Sequence, residues 1–359
     1  MDRRSMLKHA GIVGIVAAAA APAVHAQPAI RWRIASSFPK SLDTIYGSAE
    51  VFAQAVKSMT GGKFDVSVHQ AGELMPAFNV VDGVQSGTVE VAHTAPYYFF
   101  GKNEVFAIGG AIPFGMNSRQ LTSWMVDGDG GKLMGEFYDK YNVVPLVGGN
   151  TGAQMGGWFR KEIKTPEDIK GLKFRVGGFA GKVLEKMGAV AQNIPAGEIY
   201  QALEKGTIDA AEWIGPYDDL KLGLNKVAPF YYYPGWWEGS LNLSFYINNK
   251  AFNSLSNEYK AVVRAASYEA HVTCQARYDA RNPGAIKQLV AAKTKVLPFS
   301  QQVLEASFKA TMELYDELAA SNPDWKKIYS NYRNFQRDQV LWFRFAEGRF
   351  DSFMATQKL

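Results

Sequence analysis

Arg175 is the side chain in this sequence best suited to hold a small organic acid. It lies near the end of Thr165–Val176, TPEDIKGLKFRV, where Thr165 can cap a short helix, Pro166 suits its first position and Gly171 can end it before a strand. A guanidinium is a planar fork of donors that keeps its charge and matches a carboxylate in bidentate fashion. Because most arginines form surface ion pairs instead, the prediction depends on the neighbouring residues.

Glu212 is a second candidate, because it directly follows the strand-like segment Ile208–Ala211. A carboxylate in the interior of a fold costs free energy unless it meets a cation or strong donors. Either Arg175 or a metal ion can supply that positive charge. Glu238, in the stretch GWWEGS, can add a second carboxylate to an oxygen site for a hard cation, or it can lie on a solvated rim.

Amides and tyrosines follow two other strand-like runs. Asn150 and Gln154 lie in GGNTGAQMGGW, where glycines allow close backbone approach and amides can both donate and accept hydrogen bonds. Glycines and amides also occur simply in turns. Tyr97 and Tyr98, in HTAPYY, can offer a hydroxyl to a carboxylate or form an apolar wall. We expect these stretches to meet Arg175 and Glu212 at one cleft.

A catalytic alternative pairs Glu212 with His93 as acid and base. The sequence contains no HExxH, CxxC, GxSxG or phosphate-loop pattern near these residues. A single histidine on a buried strand is more often a hydrogen-bonded core residue. The one cysteine, Cys274, lies in a helical stretch and is predicted to be a small buried hydrophobe. Binding is therefore favoured over catalysis.

Alternating strands and helices must position these residues. Ile30–Phe38 reads as a strand, the helix after it stops at a glycine pair, and the same alternation resumes at Tyr141–Gly149 and Gly171–Gly188. This order predicts an α/β fold of parallel sheets flanked by helices, in which ligands bind at the carboxyl ends of strands.

The chain is long enough for two lobes. It has 359 residues, of which 47% are apolar and 13% aromatic, and these can form two hydrophobic cores. No flexible linker interrupts the chain, so we expect ordered strands to cross between lobes near Thr151–Gly157 and Tyr233–Leu243. Lobe 1 is predicted to hold residues 27–149 with a return segment at about 235–300, and lobe 2 to hold residues 150–234. Such lobes close over a ligand by hinge bending.

Residues 301–359 predict C-terminal helices rich in aromatic side chains. Trp342, Phe343 and Phe345 are so close in sequence that one helical face cannot bury all of them. The helices therefore either span both lobes or contact a second copy of the chain, and we favour a homodimer. The net charge of +5 comes without a block of lysines and arginines interleaved with aromatics, which does not favour nucleic acid as a partner.

Met1–Ala26 has the three parts of an export signal: a basic start, an apolar run and small residues before Gln27. The apolar run is short for a membrane span, and we expect cleavage after Ala26. The start, DRRSMLK, resembles a twin-arginine signal. A periplasmic location is therefore predicted.

Three stretches together resemble a known family. They are GELMPAFNVVDGVQSGTVEVAHTAPYY at Gly72–Tyr98, TPEDIKGLKFRV, and DAAEW at Asp209–Trp213. From about Ile30 to the C-terminus the chain is similar to the DctP-type solute receptors of TRAP transporters, which have a two-lobed periplasmic binding protein fold. The Glu-Trp pair is most similar to the branch that binds 2-oxo and 2-hydroxy monocarboxylates. The resemblance implies a receptor that delivers such an acid to a membrane permease.

The resemblance also implies a cation that bridges protein and ligand. Oxygen ligands point to calcium or sodium rather than zinc, and the sequence does not choose between those two. We expect the cation ligands to be Gln154, Glu212, Trp213 through its backbone carbonyl, and Glu238. We expect the acid to contact Arg175, Asn150, Gln154, Tyr97 and Trp213.

Overall fold

A computed structural model describes residues 30–358. The predicted export signal, Met1–Ala26, lies outside these residues. Within the described part of the chain, no helix has the length and apolar character needed to cross a membrane.

The chain forms eleven strands and twelve α-helices over this range. The strands are β1 Ile30–Ser36, β2 Phe64–His69, β3 Val91–Thr94, β4 Val143–Asn150, β5 Gly157–Phe159, β6 Lys173–Arg175, β7 Val190–Gln192, β8 Ala210–Ala211, β9 Phe230–Tyr233, β10 Asn242–Asn248 and β11 Lys295–Pro298. The helices are α1 Ile45–Met59, α2 Val80–Gln85, α3 Ser118–Val126, α4 Gly130–Asp139, α5 Gly178–Lys186, α6 Ala196–Glu204, α7 Pro216–Leu222, α8 Asn249–Asn253, α9 Asn257–Ala291, α10 Gln301–Ser321, α11 Pro323–Phe345 and α12 Glu347–Met354. Short 3₁₀ helices include Pro96–Phe99 and Pro166–Ile169.

Two separate sheets define two lobes, which confirms the predicted two-lobed α/β fold. The sheet of lobe 1 has the order β2-β1-β3-β10-β4, and the sheet of lobe 2 has the order β11-β9-β5-β8-β6-β7. The alternation of strands and helices predicted parallel sheets, but both sheets also contain antiparallel pairs. Strand β10 runs antiparallel to β3 and β4, and β5 runs antiparallel to β8 and β9. Each of these two strands is the first that the chain enters after crossing between lobes.

The chain passes between the two sheets three times. It leaves lobe 1 after β4, returns after β9, and enters the lobe 2 sheet again at β11, which pairs in parallel with β9. The long helix α9, with 35 residues, lies between β10 and β11 in the chain. The predicted return segment 235–300 therefore contains one strand of each sheet, because Lys295–Pro298 adds an edge strand to lobe 2.

The C-terminal helices contact both lobes. Helix α10 packs on α5 in lobe 2, and α11 packs on α3 and α4 in lobe 1. Tyr315 donates a hydrogen bond to the carbonyl of Pro113 at 2.7 Å, and the amide of Met116 donates to the hydroxyl of Tyr332 at 2.7 Å. The first part of the aromatic region is therefore part of the intramolecular core, whereas Trp342 and Phe345 are exposed.

Candidate functional site

The pairing of β6 with β8 brings Arg175 beside Glu212. Gly171, with φ of +74°, lets the chain turn from the 3₁₀ helix Pro166–Ile169 into β6, since this backbone conformation favours glycine. Strand β6 runs parallel to β8 with Arg175 opposite Ala211. The amide of Glu212 then donates to the carbonyl of Arg175 at 3.0 Å. Both side chains thus leave the carboxyl ends of adjacent strands, as the alternation predicted.

Arg175 and Glu212 form a buried ion pair. The Nη1 of Arg175 is 3.0 Å from Oε2 of Glu212 and also donates to the Glu212 backbone carbonyl. Its Nε donates to the carbonyl of Ile194 at 3.0 Å, and the guanidinium lies 5.0 Å from the ring centroid of Trp213. Burial raises the pKa of Glu212 to about 7, and the charge of Arg175 and the amide of Gly177 oppose this shift. The other oxygen, Oε1 of Glu212, has no hydrogen-bond partner.

Glu238 is a second buried carboxylate, with 3% of its surface exposed. Burial, followed by the negative charge of Glu212, raises the pKa of Glu238 well above its usual value, and a hydrogen bond from Tyr97 opposes this shift. The amide of Gln154 donates to the Glu238 carbonyl at 3.2 Å, and the amide of Gly235 donates to the Gln154 carbonyl at 2.9 Å. These bonds join the two segments that cross between lobes. Oε2 of Glu238 is buried without a partner.

The amides of Asn150 and Gln154 also have unused polar atoms. Oδ1 of Asn150 accepts from the amide of Gly152 at 2.8 Å, and Nε2 of Gln154 donates to the hydroxyl of Thr151 at 3.1 Å. Nδ2 of Asn150 and Oε1 of Gln154 are buried without a partner. A buried polar atom left unpaired costs about 1–3 kcal/mol, so both atoms would gain from a further hydrogen-bonding or metal partner.

Tyr97 belongs to lobe 1 and packs against lobe 2. It lies in the 3₁₀ helix after β3, and its ring packs on Gly177 at the start of α5. A Cβ atom at Gly177 would lie 2.6 Å from Cε2 of Tyr97, so the close approach requires glycine. Burial raises the pKa of the neighbouring Tyr98, with the charge of Arg175 acting in the opposite direction. Both tyrosines therefore lie close to Arg175.

Residues 35–322 match the family model for DctP, described as bacterial extracellular solute-binding protein, family 7. The chain belongs to the DctP family of TRAP transporter solute receptors. A relative from Nostoc sp. named monocarboxylate 2-oxoacid-binding periplasmic protein is 44% identical over 331 residues, which cover 92% of this chain and 91% of the relative. The resemblance predicted from sequence is thereby confirmed.

Two solved TRAP solute-binding proteins have the same fold as this DctP-family receptor. The protein from Bordetella bronchiseptica is 48% identical, with a TM-score of 0.90 over 91% of this chain and 98% of that chain. It is a mixed-occupancy dimer, with copurified calcium and picolinate in one site and an apo second site. The protein from Pseudoalteromonas atlantica has bound sodium and pyruvate and is 37% identical, with a TM-score of 0.88 over 92% of this chain and 99% of that chain.

The predicted site residues of the receptor form two small groups of contacting residues. Arg175 contacts Glu212 and Trp213, and Glu238 contacts Tyr97 and the backbone of Gln154. Asn150 ends β4 at the start of the same crossing segment.

The residues of the catalytic alternative have different partners. The ring nitrogens of His93 lie 3.2 Å from the hydroxyl of Ser36 and 3.0 Å from that of Ser48, and burial lowers the pKa of His93 to about 3. Glu212 instead contacts Arg175 and Gly177. Cys274 is buried, as predicted, and burial raises the pKa of its thiol to about 12.

One residue beside the site was missed. Asp219 follows the Glu-Trp pair in the run PYDDL and binds the backbone of the same segment at Ile214. An acidic pair on a short helix is ordinarily exposed, and only its complete burial, at 1% exposure, distinguishes Asp219 from a solvated charge.

Proposed function

We propose that this receptor captures a small 2-oxo or 2-hydroxy monocarboxylate together with a bridging cation and delivers it unchanged to the TRAP permease. The observation that carries the proposal is the charge in the cleft. Arg175 supplies one buried positive charge, whereas Glu212 and Glu238 are two buried carboxylates, and the ligand would bring a third. Buried charges without compensation cost several kcal/mol each. A cation resolves this imbalance.

The residues fit a calcium or sodium ion. Three side chains each have a buried oxygen without a hydrogen-bond partner: Oε1 of Gln154, Oε1 of Glu212 and Oε2 of Glu238. We propose that these oxygens and the Trp213 carbonyl hold the ion. Among residues 30–358, no group of three or more histidine, cysteine, aspartate or glutamate side chains could hold a metal, so the site depends on amide and carbonyl oxygens as well as two carboxylates. Such a hard-oxygen set is typical of calcium or sodium.

The remaining polar groups suit the acid itself. Nδ2 of Asn150 is a buried donor without a partner, and the guanidinium of Arg175 can pair with a carboxylate. We place Tyr97, Gln154 and Trp213 around the same ligand. When bound, the cation would supply a second point of attachment for an acid that has oxygen on its second carbon. The ligands named for the Nostoc and Pseudoalteromonas proteins support this class of acid. The picolinate of the Bordetella protein is also a monocarboxylate, but it has a ring nitrogen beside its carboxylate in place of an oxygen.

Calorimetry with pyruvate and propionate tests the proposal, because propionate lacks the 2-oxo oxygen. We expect pyruvate to bind tightly only when calcium or sodium is restored after chelation and desalting, and propionate to bind weakly throughout. Glu212→Gln should weaken pyruvate binding by at least about tenfold, the equivalent of about 1.4 kcal/mol. Glu167→Gln, at an exposed position in the same lobe, serves as the control. Equal binding of both acids, unaffected by chelation or by Glu212→Gln, would refute the bridge.

The proposal also includes export to the periplasm and assembly into a homodimer. The signal-like sequence of Met1–Ala26 supports export to the periplasm, and the Arg3-Arg4 pair supports the twin-arginine route. Mass spectrometry of the exported protein should find a terminus near Gln27. Exposed aromatic side chains in α11 and α12, together with the dimer of the Bordetella protein, support a homodimer through the C-terminal helices.

A further inference from the structure

We propose that Asp219 is a positioning residue that aims the Trp213 carbonyl at the bridging cation; this inference rests on the proposed function. Oδ1 of Asp219 accepts a hydrogen bond from the amide of Ile214 at 3.2 Å. The amide of Ile214 and the carbonyl of Trp213 belong to the same peptide unit. Because that unit is planar and trans peptide groups point N–H and C=O in opposite directions, fixing the amide fixes the direction of the carbonyl.

Asp219 is itself held rigidly by two strands. Its Oδ2 accepts from Nε1 of Trp158 in β5 at 2.9 Å and from the hydroxyl of Tyr231 in β9 at 2.7 Å. The rings of Trp158 and Tyr231 stack with centroids 4.0 Å apart. A carboxylate that accepts several strong donors from a packed sheet has little freedom to rotate. The direction of the Trp213 carbonyl is thereby set by the sheet of lobe 2.

The next peptide unit along the chain is fixed as well. The carbonyl of Ile214 accepts from the amide of Met155 at 2.9 Å, and Met155 follows the proposed cation ligand Gln154. The segments that carry Gln154 and Trp213 are therefore tied to each other through Ile214. A carboxylate on the amide also polarises the peptide unit and makes its carbonyl a better cation ligand. Groups that orient metal ligands in this way typically change metal affinity by about 10–100-fold when mutated.

Asp218 provides a matched comparison one residue away. It is also fully buried, but its Oδ2 accepts from the hydroxyl of Tyr278 on α9 at 2.7 Å. It has no hydrogen bond to the segment that carries Glu212 and Trp213 among the described residues. Asp218→Asn therefore removes a buried carboxylate from the same helix and leaves the hydrogen bond of the Ile214 amide intact. Asp219→Asn instead places an amide group where one carboxylate accepts hydrogen bonds from three donors.

The test measures calcium affinity at fixed pyruvate by calorimetry, and pyruvate affinity at saturating calcium. We expect Asp219→Asn to weaken calcium binding by about tenfold or more, while pyruvate affinity at saturating calcium stays within about threefold. A lower folded stability alone would not produce this split between the two affinities. Asp218→Asn should leave calcium affinity unchanged.

Asp219→Glu separates carbonyl direction from charge, since it keeps the charge and displaces the carboxylate by one methylene. We expect it to weaken calcium binding too, and it remains informative where Asp219→Asn does not fold. Wild-type calcium affinity in either folded variant would overturn the positioning role. Absence of any calcium or sodium effect in the wild-type receptor would instead refute the proposed function, which makes the two failures distinguishable.

Discussion

The side chains of Arg175 and Glu212 form an ion pair with 3.0 Å between Nη1 and Oε2, and they are only 2% and 1% exposed. The pair leaves Oε1 of Glu212 without a hydrogen bond. Breaking a buried pair by removing one partner typically costs about 3–5 kcal/mol, because the other charge stays buried. Any variant of this pair must therefore be compared with wild type in both stability and ligand affinity.

Changing Arg175 to lysine should weaken pyruvate binding almost as much as changing it to alanine. Lysine keeps the charge but lacks the planar fork, and the expected loss is about 2–4 kcal/mol, typical of a partner removed from a buried charged hydrogen bond. Calorimetry on the folded variant measures the loss, and thermal unfolding without ligand reports the separate effect on the fold. Arg33→Lys, in an exposed pair with Glu90, is the control. Unchanged affinity in folded Arg175→Lys would remove Arg175 from the site.

Asp43 connects the two lobes at the surface. It precedes α1 in lobe 1, and its carboxylate contacts Lys221 and the hydroxyl of Tyr217 on α7 in lobe 2. Nη1 of Arg281 on α9 lies 2.9 Å from Oδ2 of Asp43. These contacts link lobe 2 to lobe 1 at the surface, in the arrangement that buries Arg175 and Glu212.

Asp43→Asn should therefore speed the release of pyruvate. The side chain is 46% exposed, and exposed ion pairs contribute at most about 1 kcal/mol each, so we expect an increase in dissociation rate of about fivefold. Stopped-flow fluorescence measures the rate, and added salt should reduce the difference from wild type. Asp82→Asn, which removes a pair with Lys102 within lobe 1, should leave the rate unchanged. Identical rates in wild type and Asp43→Asn would show that these contacts do not hold the lobes together.

His93 should make the fold less stable as the pH falls. Burial lowers its pKa to about 3 in the folded protein, against about 6.5 in an unfolded chain. Below pH 6.5 the unfolded state binds a proton that the folded state does not, so this residue destabilises the fold between those two values.

Urea unfolding at two pH values measures this contribution. When the pH falls from about 7 to 5, the unfolding free energy should decrease by about 2 kcal/mol more for wild type than for His93→Gln. Buried carboxylates such as Asp218, whose pKa burial raises to about 7, act in the opposite direction and are common to both proteins. The difference between the proteins therefore isolates His93. Equal pH dependence would mean that the pKa of His93 in the folded protein is close to its value in the unfolded chain.

Local sequence signals were sufficient to predict that Arg175 and Glu212 lie at the carboxyl ends of strands. Arg175 and Glu212 each follow a short strand-like run, and glycine and proline mark the turns before them. Such signals depend on residues close in sequence, so they survive without knowledge of the whole fold. The α/β class followed from the alternation of strands and helices, and the two lobes followed from the length and composition of the chain.

The sequence did not predict features that depend on distant pairing. The antiparallel direction of β5 and β10 arises where the chain enters a sheet made by other segments. Strand β11 is only four residues long and follows a long helix, so no local pattern marks it. Asp219 could not be distinguished from a surface charge, because its burial depends on Trp158 and Tyr231, which lie in different strands of the folded sheet.

The last two helices expose aromatic side chains that a second copy of the chain can cover. Phe345 is 72% exposed and Trp342 is 55% exposed. If they form the homodimer contact, Phe345→Glu should weaken the dimer by at least about tenfold, because burying a phenylalanine contributes about 1.5–3 kcal/mol. Light scattering over a range of protein concentrations measures the change. Val290→Glu, at a position on α9 with 56% exposure, should not alter the dimer. A monomeric wild-type protein at micromolar concentration would show that these side chains do not form a homodimer contact.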